Sequence, residues 1–229
     1  AVILRSGMAR VDIADGRDST ILLNELATFR DVYAGHSGTE YDGNGGYMAE
    51  SSRLEALNDG QIVLGKLKEL QGVYWRTDDG TVLTHTIETI HGSSDLVVSG
   101  SATDFSSLAN LTSSVMSVYS ADAKLQQLAN ASRSDLRFYQ AVSPDLSALA
   151  NIDGAAFRVY AGSHITLPSV TSAKNTGDIT WHASGFGSRL DLSNLTHLDL
   201  SQTGGSLDVY ITADAGGEVN LSKLTQIVD

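Results

Sequence analysis

Short stretches of alternating apolar and polar residues recur along the chain, and each is followed by apolar residues spaced three apart. In the segment 134–154, SDLRFYQAVSPDLSALANIDG, the residues Leu136, Arg137 and Phe138 alternate with the period of a half-buried β-strand. After a polar corner, apolar residues return at every third position, at Leu146, Leu149 and Ile152. The segment therefore predicts a strand, a corner and a second extended piece.

The same unit recurs at a nearly constant period. Between Leu64 and Leu167, the first residues of successive apolar triplets are 20 or 21 residues apart. A second set of strand-like segments lies between the triplets and shares their period. Stacked repeats of this kind place equivalent residues about 4.8 Å apart, and neighbouring repeats bury the apolar side that no single repeat can bury alone. The triplets are Leu23/Leu26/Phe29, Leu64/Leu67/Leu70, Thr84/Ile87/Ile90, Phe105/Leu108/Leu111, Leu125/Leu128/Ala131, Leu146/Leu149/Ile152, Leu167/Val170/Ala173, Leu192/Leu195/Leu198 and Leu221/Leu224/Ile227.

These patterns predict an all-β, single-domain parallel β-solenoid over residues 1–229, wound as a right-handed β-helix of about nine coils. Residues 1–19 form a lead-in or cap, and the coils occupy about 20–229. The segment 38–58 interrupts the rhythm and is predicted to be a loop followed by a short helical insertion. Leu54 and Leu57 are three residues apart, and Asp59 with Gly60 gives a stop signal.

The segment 195–203, LTHLDLSQT, resembles the core pattern of leucine-rich repeats, although Thr203 stands where that family normally has Asn. As a whole the chain resembles bacterial extracellular parallel β-solenoids with leucine-rich-like repeats of about 20–21 residues. This resemblance implies a secreted or cell-surface location. It also implies an architecture shared with β-helical polysaccharide lyases.

Charge and cysteine content narrow the functional classes. The 229-residue chain has a formal net charge of −12, which repels the phosphate backbone of nucleic acids and the surface of anionic membranes. It has no cysteine, so disulfides and cysteine-based metal sites are excluded. No apolar run approaches the ~20 residues of a membrane span. We therefore expect neither a nucleic-acid partner nor a membrane span.

The outward-facing residues of the predicted strands form the best candidate site. If Leu136, Phe138, Phe157 and Trp181 point inward, their neighbours make a strip of aromatic rings and guanidinium groups along the axis. Flat aromatic rings suit the apolar faces of sugars, and arginine suits their hydroxyls. Equivalent tyrosines also stack on one another simply to stabilise a parallel sheet, so both interpretations stay open. One predicted row contains the candidate ligand-binding residues Tyr119, Tyr139, Tyr160, His182 and Tyr210, and the row beside it contains the candidates Arg137 and Arg158.

Other candidate chemistry is weak. Asp42 and Asn44 fit the first two positions of a calcium loop, but no further ligands follow, so a plain turn is favoured and no cofactor is predicted. The six histidines show no zinc-binding spacing, and no nucleophile elbow or phosphate-binding loop is present. Aspartates recur at two repeat positions and are interpreted as corner residues: Asp95, Asp135 and Asp178 before the strands, and Asp104, Asp145 and Asp191 before the triplets.

Three hypotheses for the function follow. The first is a non-catalytic module of a larger secreted or surface protein that binds an extended polysaccharide or surface glycan along the Tyr/Arg strip. The second is a structural or adhesive stalk that contacts protein domains through its ends or through the segment 38–58. The third, ranked lowest, is a polysaccharide lyase or hydrolase.

Overall fold

The computed structural model describes residues 2–5, 8–13, 19–31, 40–41, 47–48, 52–78, 81–83, 85–99, 104–120, 123–201 and 208–229. These residues form 25 strands and no helix, so none of them belongs to a helix that could cross a membrane. All strand pairs except β1–β2 and β5–β6 are parallel. The all-β, mainly parallel fold expected from the sequence is confirmed.

The largest sheet has ten strands. In spatial order they are β1 (Val2–Arg5), β2 (Met8–Ile13), β7 (Ser52–Leu57), β10 (Val73–Asp78), β13 (Asp95–Val98), β15 (Val115–Val118), β16 (Asp135–Phe138), β17 (Ala156–Tyr160), β20 (Ile179–Ser184) and β23 (Val209–Asp214). Because β2 pairs in parallel with β7, part of the segment 1–19 belongs to this sheet.

Shorter strands form four smaller parallel sheets and one hairpin. In two of these sheets, each strand comes directly after a strand of the large sheet in the sequence. One contains β3 (Thr20–Leu22), β8 (Gln61–Val63) and β11 (Thr81–Leu83), and the other contains β18 (His164–Thr166), β21 (Arg189–Asp191) and β24 (Glu218–Asn220). The other two are a four-stranded and a three-stranded sheet. The first contains β4 (Thr28–Arg30), β9 (Glu69–Gln71), β12 (Thr89–His91) and β14 (Asn110–Thr112), and the second contains β19 (Ser172–Lys174), β22 (His197–Asp199) and β25 (Gln226–Val228). The antiparallel hairpin is β5 (Glu40–Tyr41) with β6 (Tyr47–Met48).

Strand pairing follows the sequence period. From β7 to β17, paired residues in neighbouring strands of the large sheet are 20 or 21 residues apart. The separation grows to 24 residues between Phe157 and Trp181, and to 30 between Ile179 and Val209. The apolar repeat and the parallel pairing therefore arise from the same spacing.

Most of the apolar positions that define the repeat form one continuous core, although Ile227 in the last triplet is exposed. Leu136, Phe138, Phe157 and Trp181 are all fully buried, as the alternation predicted. The triplets turn the chain at the opposite side of this core. The amide of the second residue in a triplet donates to the carbonyl of the first, as in Leu149 N to Leu146 O at 3.0 Å.

Corner aspartates hold the turns before the triplets. The carboxylates of Asp104, Asp145 and Asp191 each accept a hydrogen bond, at 2.9 Å, from the backbone amide two residues later. This is an Asx turn, and it satisfies an amide that leaves the strand ladder. The interpretation of these three aspartates as corner residues is confirmed, whereas it is wrong for Asp95 and Asp135, which are the first residues of strands β13 and β16.

The predicted helix within 38–58 is wrong, because Ser52–Leu57 is strand β7. Leu54 and Ala56 are fully buried. The buried residues of this segment are therefore two positions apart, as in a strand, and not three positions apart like Leu54 and Leu57. Strands β2 and β10 pair with β7 on its two sides. A helix there would leave the facing edges of both neighbours without hydrogen-bond partners, so tertiary pairing overrides the local pattern.

We expect Gly217→Ala to destabilise the protein by about 1–3 kcal/mol, because overpacking costs that much in well-packed sites. A Cβ at Gly217 would lie 2.2 Å from the Ala183 carbonyl oxygen. Gly177→Ala is the matched control, since the nearest atom to its Cβ would be 3.7 Å away. Urea unfolding should show a change within ~0.5 kcal/mol for Gly177→Ala. Equal stability of the two variants would contradict the packing between Gly217 and Ala183.

Acid stability should depend on the pair between Lys124 Nζ and the Asp104 carboxylate, which are 2.9 Å apart. Burial would raise the pKa of Asp104, but hydrogen bonds from Lys124 and Ser106 outweigh it and lower the pKa to about 2. Since this value lies below the ~3.9 of an unfolded aspartate, the ionised form stabilises the fold above pH ~4, and that stabilisation disappears as the pH falls towards 2. In denaturant titrations, Asp104→Asn should be less stable than wild type at neutral pH, and the gap should close near pH 2. A gap that is independent of pH would contradict this linkage.

Candidate functional site

The register of the large sheet arranges its outward side chains in three rows across the strands. The groove row contains Arg53, Tyr74, Asp95, Val115, Asp135, Ala156, Thr180 and Tyr210. The arginine row lies two residues further along each strand and contains Glu55, Arg76, Val97, Ser117, Arg137, Arg158, His182 and Thr212. The tyrosine row lies two residues beyond that and contains Tyr119, Tyr139 and Tyr160, which is paired with Ser184.

Two predicted site residues lie in different rows from the one expected. His182 pairs with Arg158 in the arginine row, and Tyr210 pairs with Thr180 in the groove row. The reason is that Trp181 lies beside Phe157 in the core, where its Nε1 donates to the Ala155 carbonyl oxygen at 3.2 Å. This choice shifts β20 by two residues relative to the alignment expected from the sequence, and the pairing of Thr180 with Tyr210 shifts β23 by a further two residues relative to β20. A shift of two keeps every side chain on the same face, so alternation alone does not reveal it.

The three tyrosines form a continuous stack. The ring centroids of Tyr119 and Tyr139 are 4.5 Å apart with an interplanar angle of 5°, and those of Tyr139 and Tyr160 are 5.1 Å apart at 17°. The edge of His182 meets Tyr160 at 5.5 Å and 88°. Burial and the neighbouring tyrosines raise the pKa of Tyr139. Both faces of the Tyr139 ring are covered, so this ring offers a ligand its edge and hydroxyl rather than a flat face.

An open groove of about 710 Å³ follows the groove row. It reaches from Arg53 on β7 to Tyr210 on β23. These eight strands span about 34 Å at the usual spacing of ~4.8 Å. Tyr74 lies near one end and Tyr210 near the other, and the floor between them includes the small side chains Val115 and Ala156. The shape suits an extended ligand lying across the strands.

Buried serines support the floor of this groove. Ser94, Ser114 and Ser134 each precede a strand and are at most 3% exposed. Ser134 Oγ donates to the Leu111 carbonyl oxygen at 3.0 Å and accepts from the Ser114 amide at 3.3 Å, so it links neighbouring strands. These hydroxyls satisfy backbone groups and are not aimed at a ligand. A serine recurs before each of these strands in the sequence, and this recurrence is a signal for the groove that the pattern of aromatic residues does not contain.

Asp135 joins the groove row to the arginine row. Its Oδ2 accepts hydrogen bonds from Arg137 Nη2 at 2.7 Å and Nε at 3.0 Å, and Arg158 Nε lies 3.2 Å from both carboxylate oxygens. These hydrogen bonds raise the pKa of Arg137. Both predicted arginines are therefore engaged by one carboxylate, and Arg158 forms part of the groove wall.

The remaining charged groups of the groove are more accessible. Asp95 receives no hydrogen bond from the described residues, and its restricted hydration raises its pKa, with Arg137 opposing and Asp135 reinforcing the effect. Arg133 is exposed and has no side-chain partner in the described part of the chain. Asp178 Oδ1 accepts from the Asp208 amide at 3.1 Å. The groove thus presents both a hydrogen-bond donor and acceptors.

The two end tyrosines differ from the stacked ones. The guanidinium carbon of Arg53 lies 5.7 Å from the Tyr74 ring centroid, and burial raises the pKa of Tyr74. Tyr210 is 54% exposed, and its hydroxyl donates to Asp208 Oδ2 at 3.1 Å, which raises its pKa. Tyr210 is therefore the tyrosine of the groove whose ring is most open to a ligand.

The structure also contains a ladder of asparagines at a different repeat position from that of Asn in leucine-rich repeats. Asn110 forms a parallel bridge with Asn130, which forms another with Asn151. The tripeptide LeuAlaAsn that ends at each of these residues is a clear sequence signal. The side chain of Asn130 accepts from the Ser132 amide at 3.0 Å, so this ladder supports turns.

Metal binding has no support in the part of the chain that can be described. No cluster of three or more His, Cys, Asp or Glu residues there could hold a metal ion. The weak calcium-loop pattern at 42–46 lies outside the described residues.

Comparison of the chain with known protein families, curated proteins and solved structures finds no match.

We expect Tyr139→Ala to destabilise the protein by about 1–3 kcal/mol, because the ring loses stacking partners on both faces. Tyr139→Phe keeps the stack and should change stability by no more than ~0.5 kcal/mol. Tyr210→Ala is the matched control, since Tyr210 lies outside the stack and is 54% exposed. Urea unfolding of the three variants measures the effect. Equal losses in Tyr139→Ala and Tyr210→Ala would contradict a structural role for the stack.

Proposed function

We propose that this chain is a non-catalytic binding module that holds an extended polysaccharide in the groove of the large sheet. The proposal includes a β-solenoid of nine coils. Each coil contributes one strand to that sheet, beginning with β2 and ending with β23. It also places the module in a bacterial protein that is secreted or displayed on the cell surface.

The observation that carries the proposal is the continuity of the groove across eight strands. A small compact ligand would occupy a fraction of that length, whereas an extended polymer can contact successive coils in the same way. The lining offers hydroxyl, carboxylate and guanidinium groups, which can exchange hydrogen bonds with sugar hydroxyls. The exposed ring of Tyr210 adds an apolar surface at one end.

The predicted site residues divide between two roles in this proposal. Arg158 and Tyr210 line the groove and would contact the ligand. Arg137 would act through Asp135, whose carboxylate it holds together with Arg158. Tyr119, Tyr139 and Tyr160 would keep the neighbouring coils in register, with His182 packed against the end of their stack.

A structural or adhesive stalk is the second candidate, and the tyrosine stack favours it. The rings of Tyr119 and Tyr139 cover one another, as expected if this row only stabilises the sheet. A stalk would retain no glycan and would make its protein contacts elsewhere on the chain. A lyase or hydrolase stays the lowest alternative and would release products from the same glycans that a binding module only retains.

The test is affinity electrophoresis in gels that contain a panel of soluble polysaccharides. We expect wild type to be retarded by at least one of them, and Arg133→Ala with Tyr210→Ala to bind at least about 30-fold more weakly. The loss corresponds to one charged hydrogen bond and one ring contact, each about 1–2 kcal/mol.

The matched control is Lys174→Ala with Phe186→Ala, which also removes one cation and one exposed aromatic ring. Phe186 is 93% exposed, and neither residue lines the groove. This variant should be retarded like wild type. Equal weakening in both double variants would contradict the groove as the site. Absence of retardation for wild type in every gel would contradict polysaccharide binding and favour the stalk.

A further inference from the structure

We infer that the groove selects uncharged polysaccharides over polyuronates and other polyanionic glycans. The inference rests on the proposed polysaccharide-binding function and names the ligand class of the same site. It depends on how the charged groups of the groove are paired.

The groove is neutral, whereas the chain around it is strongly acidic. Three arginines and three aspartates line it, so their formal charges cancel, and the formal net charge of −12 belongs entirely to the rest of the chain. The surrounding field therefore repels a polyanion as it approaches, and the groove offers no excess of positive charge to overcome that repulsion. The charged lining residues are Arg53, Arg133, Arg158, Asp95, Asp135 and Asp178.

Most of the guanidinium groups are already engaged. Arg158 is held by Asp135, which also binds Arg137, and the guanidinium of Arg53 lies over the Tyr74 ring. A ligand carboxylate that recruited Arg158 would compete with Asp135 and bring a second negative charge beside it. Like charges that close together are unfavourable in a partly desolvated site.

The accessible carboxylates disfavour an anion further. Asp95 accepts no hydrogen bond from the described residues, and it lies in the same row as Asp135 with Val115 between them. Asp178 lines the groove near its other end. Arg133 is the accessible cation among the described lining residues, so the groove has one accessible guanidinium and two accessible carboxylates, those of Asp95 and Asp178.

The same groups suit neutral sugars. Sugar hydroxyls can donate to Asp95 and Asp178 and accept from Arg133, and hydrogen bonds to ionised groups are stronger than those between neutral groups. Binding of this kind involves no ion pair with the ligand, so salt should have little effect on it.

The experiment compares neutral polysaccharides with a polyuronate in affinity electrophoresis at low and high salt. We expect wild type to be retarded by a neutral glucan, mannan or xylan, with affinities at the two salt concentrations agreeing within about twofold because no ion pair is screened. We expect no retardation by the polyuronate. Salt-sensitive retardation by the polyuronate would overturn this inference while leaving polysaccharide binding intact. No retardation by any glycan would overturn the proposed function itself.

A charge variant tests the cause. Asp95→Asn with Asp178→Asn should gain salt-sensitive binding to the polyuronate and lose affinity for the neutral glycan. Glu25→Gln with Glu88→Gln is the control, because it removes two negative charges from exposed positions that do not line the groove. Its selectivity should match wild type. Equal gains in both variants would show that net charge rather than groove charge sets the selectivity, and no change in either would overturn the role given to Asp95 and Asp178.

Discussion

Parallel pairing in register is the constraint on which the rest of the structure depends. From β7 to β17, each strand of the large sheet pairs with residues 20 or 21 positions away in sequence. The residue at one position of the repeat is therefore in contact with the residue at the same position of the next. Leu136 pairs with Phe157, and Phe157 with Trp181, which makes the core continuous. The same rule applies to the outer face, where tyrosine meets tyrosine and arginine meets arginine.

Apolar and aromatic repeats benefit from this arrangement, but charged repeats do not. Arg137 and Arg158 are direct neighbours, and Asp135 offsets their repulsion by binding both. Elsewhere a cation lies beside an anion from another repeat of the sequence, as in Lys66 with Glu25 and Lys68 with Glu88, each at 2.6 Å. These exposed pairs contribute little energy individually, about 0–1 kcal/mol. In these pairs, opposite charges stand where identical charged residues would repel one another.

This constraint explains what the sequence could and could not predict. The period of the triplets and the alternation around Leu136 were sufficient for an all-β fold with parallel strands, because burial selects apolar residues at both spacings. The helix expected near Leu54 was wrong, since the pairing of β7 with β2 and β10 is not visible locally. The rows of His182 and Tyr210 were misplaced because β20 is shifted by two residues relative to β17, and β23 by a further two relative to β20. Each shift preserves every inward and outward position, so alternation does not reveal it. In the structure Trp181 packs beside Phe157.

The same reasoning separates stabilising from ligand-binding residues on the outer face. In a row that repeats one residue type, such as Tyr119, Tyr139 and Tyr160, the side chains contact one another, because each ring covers the next. The residue type in the groove row changes from strand to strand, as from Tyr74 to Asp95 to Val115, so its side chains do not stack on one another as the tyrosines do. Its polar groups therefore stay accessible along the groove. In a parallel sheet of equivalent strands, variation within a row is consequently a better sign of a binding surface than repetition, which is the reverse of what the tyrosines first indicate.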